Sequence, residues 1–404
     1  MQASKAIVLT IFGSLLPMGL WAASDASAER PVIAPSLVEV APGAAKQFQV
    51  TIGDHPAASV TWSVNDIPGG NAALGRITAS GLYTAPATAP SPHEIHIVAE
   101  IRRPRKLRAW ATVLMSHGAP QYRLIASWGE KGTGPGKFID PHSVCIDKNG
   151  NLIIVDANGS RVFRYTKSGK YLGEIGSGLG SGPGQFNNPR DVKIDETGKI
   201  FISDGNNQRI QVFSPSGKFL YAFGHKGSAP GEFLRVHALW FGTEGRLYAA
   251  DVDNSRIMVF NHAGKFLFEW GKDGRKPGEF HAPHGLGGDA NGDLFVSNYW
   301  GPCQKFTGDG KFLFEFAPAT DTGFNHWHSM TSDRWGDAYL MSRDKQNHNA
   351  IVKYNNNGTL VTSWPPLRSV KEWGVKAATV DTGGTVYVAA ESKAHVGIEV
   401  YREQ

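Results

Sequence analysis

The chain has only two cysteines in 404 residues, Cys145 and Cys303. It has no Cys-x-x-Cys-His, so covalent c-type haem attachment is excluded and no dense disulfide framework is available. Charge is sparse as well, with 19% Asp, Glu, Lys and Arg and a formal net charge of +5. Such a mild, dispersed balance offers neither a continuous basic groove nor base-stacking aromatics along one, which argues against a nucleic-acid partner. After residue 21 no apolar run approaches the ~20 residues of a membrane-spanning helix. Gly-x-Ser-x-Gly and His-Glu-x-x-His are both absent, which removes two hydrolase signatures.

What is abundant is glycine, 48 residues, beside 21 Phe, 11 Trp and 11 Tyr. Many turns and many aromatics suit an all-β protein. The start of the chain reads differently. Lys5 precedes an apolar stretch from Ala6 to Trp21, and Ala26-Ser27-Ala28 offers a small-x-small cleavage site. Residues 1–28 are expected to be a secretory signal, and the mature chain to be secreted or periplasmic.

Residues 29–116 carry short alternating segments: Leu37 to Val40, Lys46 to Val50, Val60 to Val64, Ile95 to Glu100 and Ala109 to Val113. Their length and the Pro, Gly and Asn turns between them predict a small sandwich. Trp62-Ser63-Val64-Asn65, Gly69-Gly70-Asn71 and Gly81-Leu82-Tyr83-Thr84-Ala85-Pro86 resemble bacterial Ig-like modules, which implies a spacer or adhesive role. Arg102, Arg103, Arg105, Lys106 and Arg108 form a basic run broken by Pro104. It reads as a solvated hairpin, with a patch for anionic polysaccharide or phosphate as the alternative.

The rest of the chain repeats. Phe138, Phe186, Phe233 and Phe280 recur every 47 to 48 residues, each ending a Pro-Gly-x-Phe turn; a shortened fifth copy begins at Gly323-Phe324 and a weaker sixth runs from Trp373 to Tyr401. Each copy holds four short strands, the pattern of one propeller blade. The expected fold is therefore all-β: a six-bladed β-propeller with four-stranded blades over residues 117–404, behind an N-terminal Ig-like β-sandwich. Ser203-Asp204-Gly205-Asn206-Asn207-Gln208-Arg209-Ile210-Gln211-Val212-Phe213 and Ala250-Asp251-Val252-Asp253-Asn254-Ser255-Arg256-Ile257 resemble NHL repeats. The sixth copy lacks an outer strand. The segment 121–129 resembles one, so it is expected to close the ring. Asp156/Arg161, Asp204/Arg209 and Asp251/Arg256 share a five-residue spacing, read as repeated structural pairs. Register puts Cys145 on blade one and Cys303 on blade four, too far apart for the roughly 7 Å Cα limit of a disulfide.

Four residues after each turn Phe stand His142, Arg190, His237, His284 and His328, and the alignment of Val375-Lys376 adds Lys376. Each precedes an innermost strand, so all six should ring one mouth of the central channel. His142, His237 and His328 fall on alternate blades. Three imidazoles about an axis suit a tetrahedral metal with one open position, zinc being the natural candidate. The competing reading is a polar mouth that binds only water.

The turns Pro141-His142-Ser143-Val144, Val236-His237-Ala238-Leu239 and Trp327-His328-Ser329-Met330 resemble those of the peptidyl-α-hydroxyglycine α-amidating lyases, six-bladed propellers of this repeat type. The resemblance implies zinc on these three histidines. The family's Tyr and Arg positions hold Gly205-Asn206-Asn207 and Val252 here, Lys131 is found where a further Arg is expected, and Ser329 replaces a calcium-binding Asp, so calcium is not expected. Rotated by two blades, the roles fall on Tyr299, within one residue, and Arg343, as base and charge stabiliser. Tyr299 and Trp300 read equally as an aromatic ligand platform. Three functions stay open. The first is a binding or scaffold propeller taking a peptide, glycan or small anion at the mouth through Arg190, His284, Lys376 and Trp300. The second is a zinc-dependent lyase or hydrolase, and the third a structural surface adhesin.

Overall fold

The computed structural model describes residues 30–102, 106–115, 120–317, 324–344, 348–365, 374–391 and 396–403. The leader reading falls on residues outside these.

Residues 31–115 form three small sheets around one core. Pro31–Ala34, Gln49–Ile52 and His55–Pro56 make the first. Ala45–Gln47, Leu82–Thr84, Gly75–Ile77 and Gly70–Asn71 make the second. Leu37–Val40, Leu107–Met115, Glu94–Ile101, Thr61–Val64 and Ile67–Pro68 make the third. The single strand expected over Lys46 to Val50 is in fact two, in different sheets. Phe48 lies between them with no exposure, packed in the core with Trp62, Val64, Tyr83, Ile97 and Val113. A buried aromatic at that point holds the chain while it crosses from one sheet to the next. Gly81 explains the start of the Gly-Leu-Tyr segment: its φ is +84°, and a Cβ there would sit 2.8 Å from the Trp62 ring. Arg102, Lys106 and Arg108 all pair with Glu100, at 2.9, 2.8 and 3.1 Å; Arg103 and Arg105 lie outside the described residues.

Six four-stranded antiparallel sheets follow. Pro141–Ile146, Pro189–Ile194, Val236–Phe241, Pro283–Gly288, Phe324–Ser332 and Val375–Val380 are the innermost strands of blades one to six. The ring closes as the repeat count requires: Tyr122–Trp128 pairs antiparallel with Val396–Glu403, supplying the outer strand of blade six. Closure removes the two open edges that would otherwise invite pairing with other chains. Cys145 and Cys303 are free thiols on blades one and four.

The period of 47 to 48 residues has a packing cause. Gly129, Gly176, Gly224 and Gly271 end outer strands with positive φ, and a Cβ on any of them would lie within 3.0 Å of the ring of Phe138, Phe186, Phe233 or Phe280 respectively. Each of these Phe rings is fully buried. A repeat thus ends in a glycine because the next repeat begins with a phenylalanine laid against it, burying an aromatic side chain for about 2–3 kcal/mol.

A second device repeats beside it. In blades one to four the last residue of the second strand turns a side-chain oxygen back onto the segment leading to the innermost strand. Asp156 accepts from the amides of Ile139 and Asp140, Asp204 from Asn187, Asp251 from Leu234 and Arg235, and Asn298 from His281. The expected ion pairs are present in blade two, Arg209 Nε to Asp204 at 2.9 Å, and at 3.4 Å in blade three. In blade one Arg161 pairs with Glu174 instead. Asp204 is fully buried and also accepts from Asn207 and Gln211. Asp204→Ala removes the acceptor of four donors, the Arg209 guanidinium among them, so it should cost about 3 kcal/mol, read as a lowered denaturant midpoint.

The N-terminal module sits on the face that carries the turns between first and second strands, on blades four to six. Its contacts include Arg30 with Asp293, a reciprocal pair between Asn291 and the Arg108 backbone at 2.9 Å, and Trp335 packed against Val98 and Trp110. At the centre Lys353 donates to both Glu94 oxygens at 2.6 Å and lies 3.1 Å from Asp337, while His96 reaches Asp337 at 3.1 Å and Glu94 at 3.2 Å. Burial alone would lower the His96 pKa, but its bonds to Asp337 and Glu94 outweigh that and hold it at about 9. Burial raises Glu403 to about 7, and burial with the Asp337 charge raises Asp333 to about 6. All three bind protons more tightly folded than unfolded. Their contribution is fullest at low pH and is lost as pH rises, for His96 between about 6.5 and 9. The melting temperature should fall across pH 7–9, and a His96→Gln variant should flatten that slope; equal slopes in calorimetry would refute this role for His96.

Candidate functional site: the open mouth of the channel

Each innermost strand begins at the opposite face from the N-terminal module. There His142, Arg190, His237, His284, His328 and Lys376 converge on one cavity of about 190 Å3, together with Asp140, Arg235 and Tyr299. The side-chain oxygens that brace blades one to four fix the chain two or three residues before these mouth positions, so the brace sets where each mouth side chain starts.

The three alternate-blade histidines share one hydrogen bond. Nδ1 of His142 meets the carbonyl of Arg190 at 2.9 Å, that of His237 the carbonyl of His284 at 3.0 Å, and that of His328 the carbonyl of Lys376 at 3.0 Å. A carbonyl only accepts, so Nδ1 carries the proton, and in a neutral ring Nε2 holds the lone pair. Arg190 Nη1 donates to that nitrogen of His142 at 3.2 Å. The rings are neutral for a physical reason. Burial and the Arg190 charge push His142 down to about 4. Burial, then the neighbouring His284 and His142, holds His237 well below its usual value, and burial with His142 and Lys376 does the same to His328. Burial takes His284 to about 3, against its bond to the Ala282 carbonyl.

Ring centres of His142 lie 5.2 Å from those of His237 and His328, and the His237–His328 edge is 6.4 Å. Imidazoles sharing a tetrahedral ion at ~2.0–2.1 Å have centres about 5 Å apart, so two edges match and the third must close. Among the described residues, the ligand-type group whose donors already converge tightly enough to hold a metal ion is the interdomain one, Glu94, His96 and Asp337. There the Lys353 ammonium supplies the positive charge between the carboxylates.

The cations of the mouth are incompletely answered. Lys376 lies 3.6 Å from Asp140 and 3.8 Å from Glu391, and Arg235 pairs with Asp253 at 2.8 Å. The Nε atoms of Arg190 and Arg235 are buried without a hydrogen-bond acceptor in the chain. Tyr299 joins the cavity from blade four, its ring 4.6 Å from His284; burial raises its hydroxyl pKa, opposed by the Arg343 and Arg235 charges. Arg343 and Trp300 do not line the cavity. Arg343 reaches His326 at 3.5 Å, and Trp300 lies against the same ring at 4.2 Å, 46% exposed. Arg343 thus stands behind Tyr299 and His326 instead of over the histidines, which weakens its reading as a charge stabiliser. Counting four residues from each Phe misses Asp140 and Arg235. Both stand two residues after the turn Phe, a second in-register position that repeat alignment could have supplied.

In comparison with known proteins, a family model described as a 6-bladed beta-propeller matches residues 123–177 and 185–251. The chain is a six-bladed β-propeller. No curated protein matches it. Among solved structures, a catalytically inactive virginiamycin B lyase from Staphylococcus aureus with quinupristin is 13% identical over 70% of this chain and 89% of that one, with a TM-score of 0.49. A protein described as exported, from Bacteroides fragilis, is 11% identical over 70% and 95%, also at 0.49. A protein described as a gluconolactonase is 11% identical over 70% and 92%, again at 0.49. No described helix is long and apolar enough to cross a membrane.

The neutral-ring assignment is open to direct measurement. Nitrogen-15 shifts of the His142, His237 and His328 rings should show the Nδ1–H tautomer and no protonation from pH 7.5 to 5.5. A midpoint near 6.5 at these rings would show that the cluster is solvated and unconstrained.

Proposed function

We propose that the mouth is a binding site for a small anionic ligand, in an exported propeller of the NHL type whose Ig-like module serves as a spacer. The observation that carries this reading is the pair of buried guanidinium Nε groups, Arg190 and Arg235, that find no acceptor in the chain. Buried donors of this kind are ordinarily satisfied, by water or a ligand when not by protein. Arg190, Arg235 and Lys376 line the cavity with Asp140; Arg235 pairs with Asp253 and Lys376 lies against Asp140 and Glu391, which leaves Arg190 as the lining cation without an ion pair among the described residues, so the acceptor the site favours is negative. A carboxylate, including that of a peptide, or an acidic glycan fits this chemistry.

His142, His237 and His328 would hold a divalent metal, zinc by donor type. Tethered Nδ1 protons and neutral rings are the arrangement that such ligands take. When bound, the ion would supply Lewis acidity beside the anion site. The protein's own groups do the rest: the carbonyls of Arg190, His284 and Lys376 orient the rings, and the arginines bind and align the anion. A lyase or hydrolase activity of the amidating-lyase type is the second reading, favoured by one observation, the entry of Tyr299 into the same cavity beside His284.

Elemental mass spectrometry on protein purified without chelator or His tag should find about one metal per chain, lost in His237→Ala. Absence of metal from both samples would remove the metal-assisted and lyase readings and leave the cationic anion site alone.

A further inference from the structure

The cavity is small for a whole ligand. Its volume of about 190 Å3 lies below the ~300–1,000 Å3 of pockets that enclose drug-sized molecules. It takes a head group, and the remainder of the ligand must leave over the rim. One part of that rim is unlike the others. From the axis towards blade five the rings of His237, His284, Tyr299, His326 and Trp300 follow one another at 4.4, 4.6, 3.9 and 4.2 Å between neighbours. This aromatic path starts inside the anion pocket and ends in the open. Among the described residues, Trp300 is the one aromatic among the large exposed hydrophobics.

The end of the path is also held in place. The Tyr299 amide donates to the Ala282 carbonyl at 3.0 Å, the Asn298 side-chain amide to the Pro302 carbonyl at 3.2 Å, and Trp327 Nε1 to the Gly301 carbonyl at 2.8 Å. Trp300 itself forms a backbone bridge with His326. An exposed indole fixed at both flanks presents its area to a partner at little cost in ordering entropy. Arg235, whose charge acts on the Tyr299 hydroxyl, stands at the pocket end of the same path.

We infer that the mouth takes a carboxylate carried on an aryl group, with the carboxylate at Arg235 and Arg190 and the aryl ring leaning outward along Tyr299 to Trp300. This rests on the anion-site reading above and adds the part of the ligand that the pocket cannot contain. The shared chemistry has two sources, a free arylalkanoic acid and the C-terminus of a peptide ending in an aromatic residue.

Isothermal titration of the full protein separates the cases, with acetate, 3-phenylpropionate and a tetrapeptide ending in Phe, the last with free and amidated C-terminus. The phenyl ligand should bind about tenfold more tightly than acetate. Trp300→Ala should abolish that gain and leave acetate unchanged, whereas Arg235→Ala should weaken both. Trp300 is exposed, so its variant should keep the wild-type circular dichroism. Tight binding by the free-acid peptide and not the amide would assign a peptide end; stronger binding by phenylpropionate than by the peptide would assign a small arylalkanoate. Acetate binding with no phenyl gain, or a gain untouched by Trp300→Ala, would overturn this inference and spare the anion site. No binding by any carboxylate would overturn both.

Discussion

A buried oxygen at the end of the second strand sets the geometry of the mouth in blades one to four. In these blades it is Asp156, Asp204, Asp251 and Asn298, and in each it accepts from amides of the segment that leads into the innermost strand. A carboxylate at that depth is costly unless its lone pairs are filled. The cheapest donors are the backbone amides of the chain passing beside it, so the turn is held in the same way in these four repeats. The mouth side chains of these blades, His142, Arg190, His237 and His284, are positioned by this structural repeat.

That division explains what could be read in the sequence. The Gly–Phe packing and the Asp brace are local and recur at a fixed interval, so blade number, ring closure and the six mouth positions followed from alignment alone. Asp140 and Arg235 escaped because only one in-register column was counted. The docking of the N-terminal module lay beyond this approach altogether. Glu94, His96 and Lys353 come from segments some 260 residues apart, and nothing periodic marks them. Phe48, a single aromatic in an alternating run, gave no signal that the strand would break and change sheets.

The two buried clusters handle charge in opposite ways. At the module interface, carboxylates surround Lys353 and keep His96 protonated. At the mouth, cations and burial keep four histidines neutral beside Arg190, Arg235 and Lys376. Imidazole charge is thus set by the sign of its neighbours in each case. The first cluster joins the two modules; the second leaves the Nε atoms of Arg190 and Arg235 without an acceptor in the chain.

Ring closure has a consequence for the order of events during folding. The strand Tyr122–Trp128 is synthesised before any blade, yet its partner Val396–Glu403 arrives last. Until then the early strand has a bare edge, and the first and last blades cannot complete their shared core of Phe138, Val144, Ile398 and Val400. Contacts of such sequence separation form slowly. The N-terminal module shares part of this wait: its partners Asn291 and Asp293 belong to blade four, Lys353 and Asp337 to blade five, and Glu403 to the final strand. The chain therefore completes its ring and its domain interface together, near the end of synthesis, and a chain stopped short of its final strand should lose ring closure and the Glu403 contact while keeping the interface residues of blades four and five.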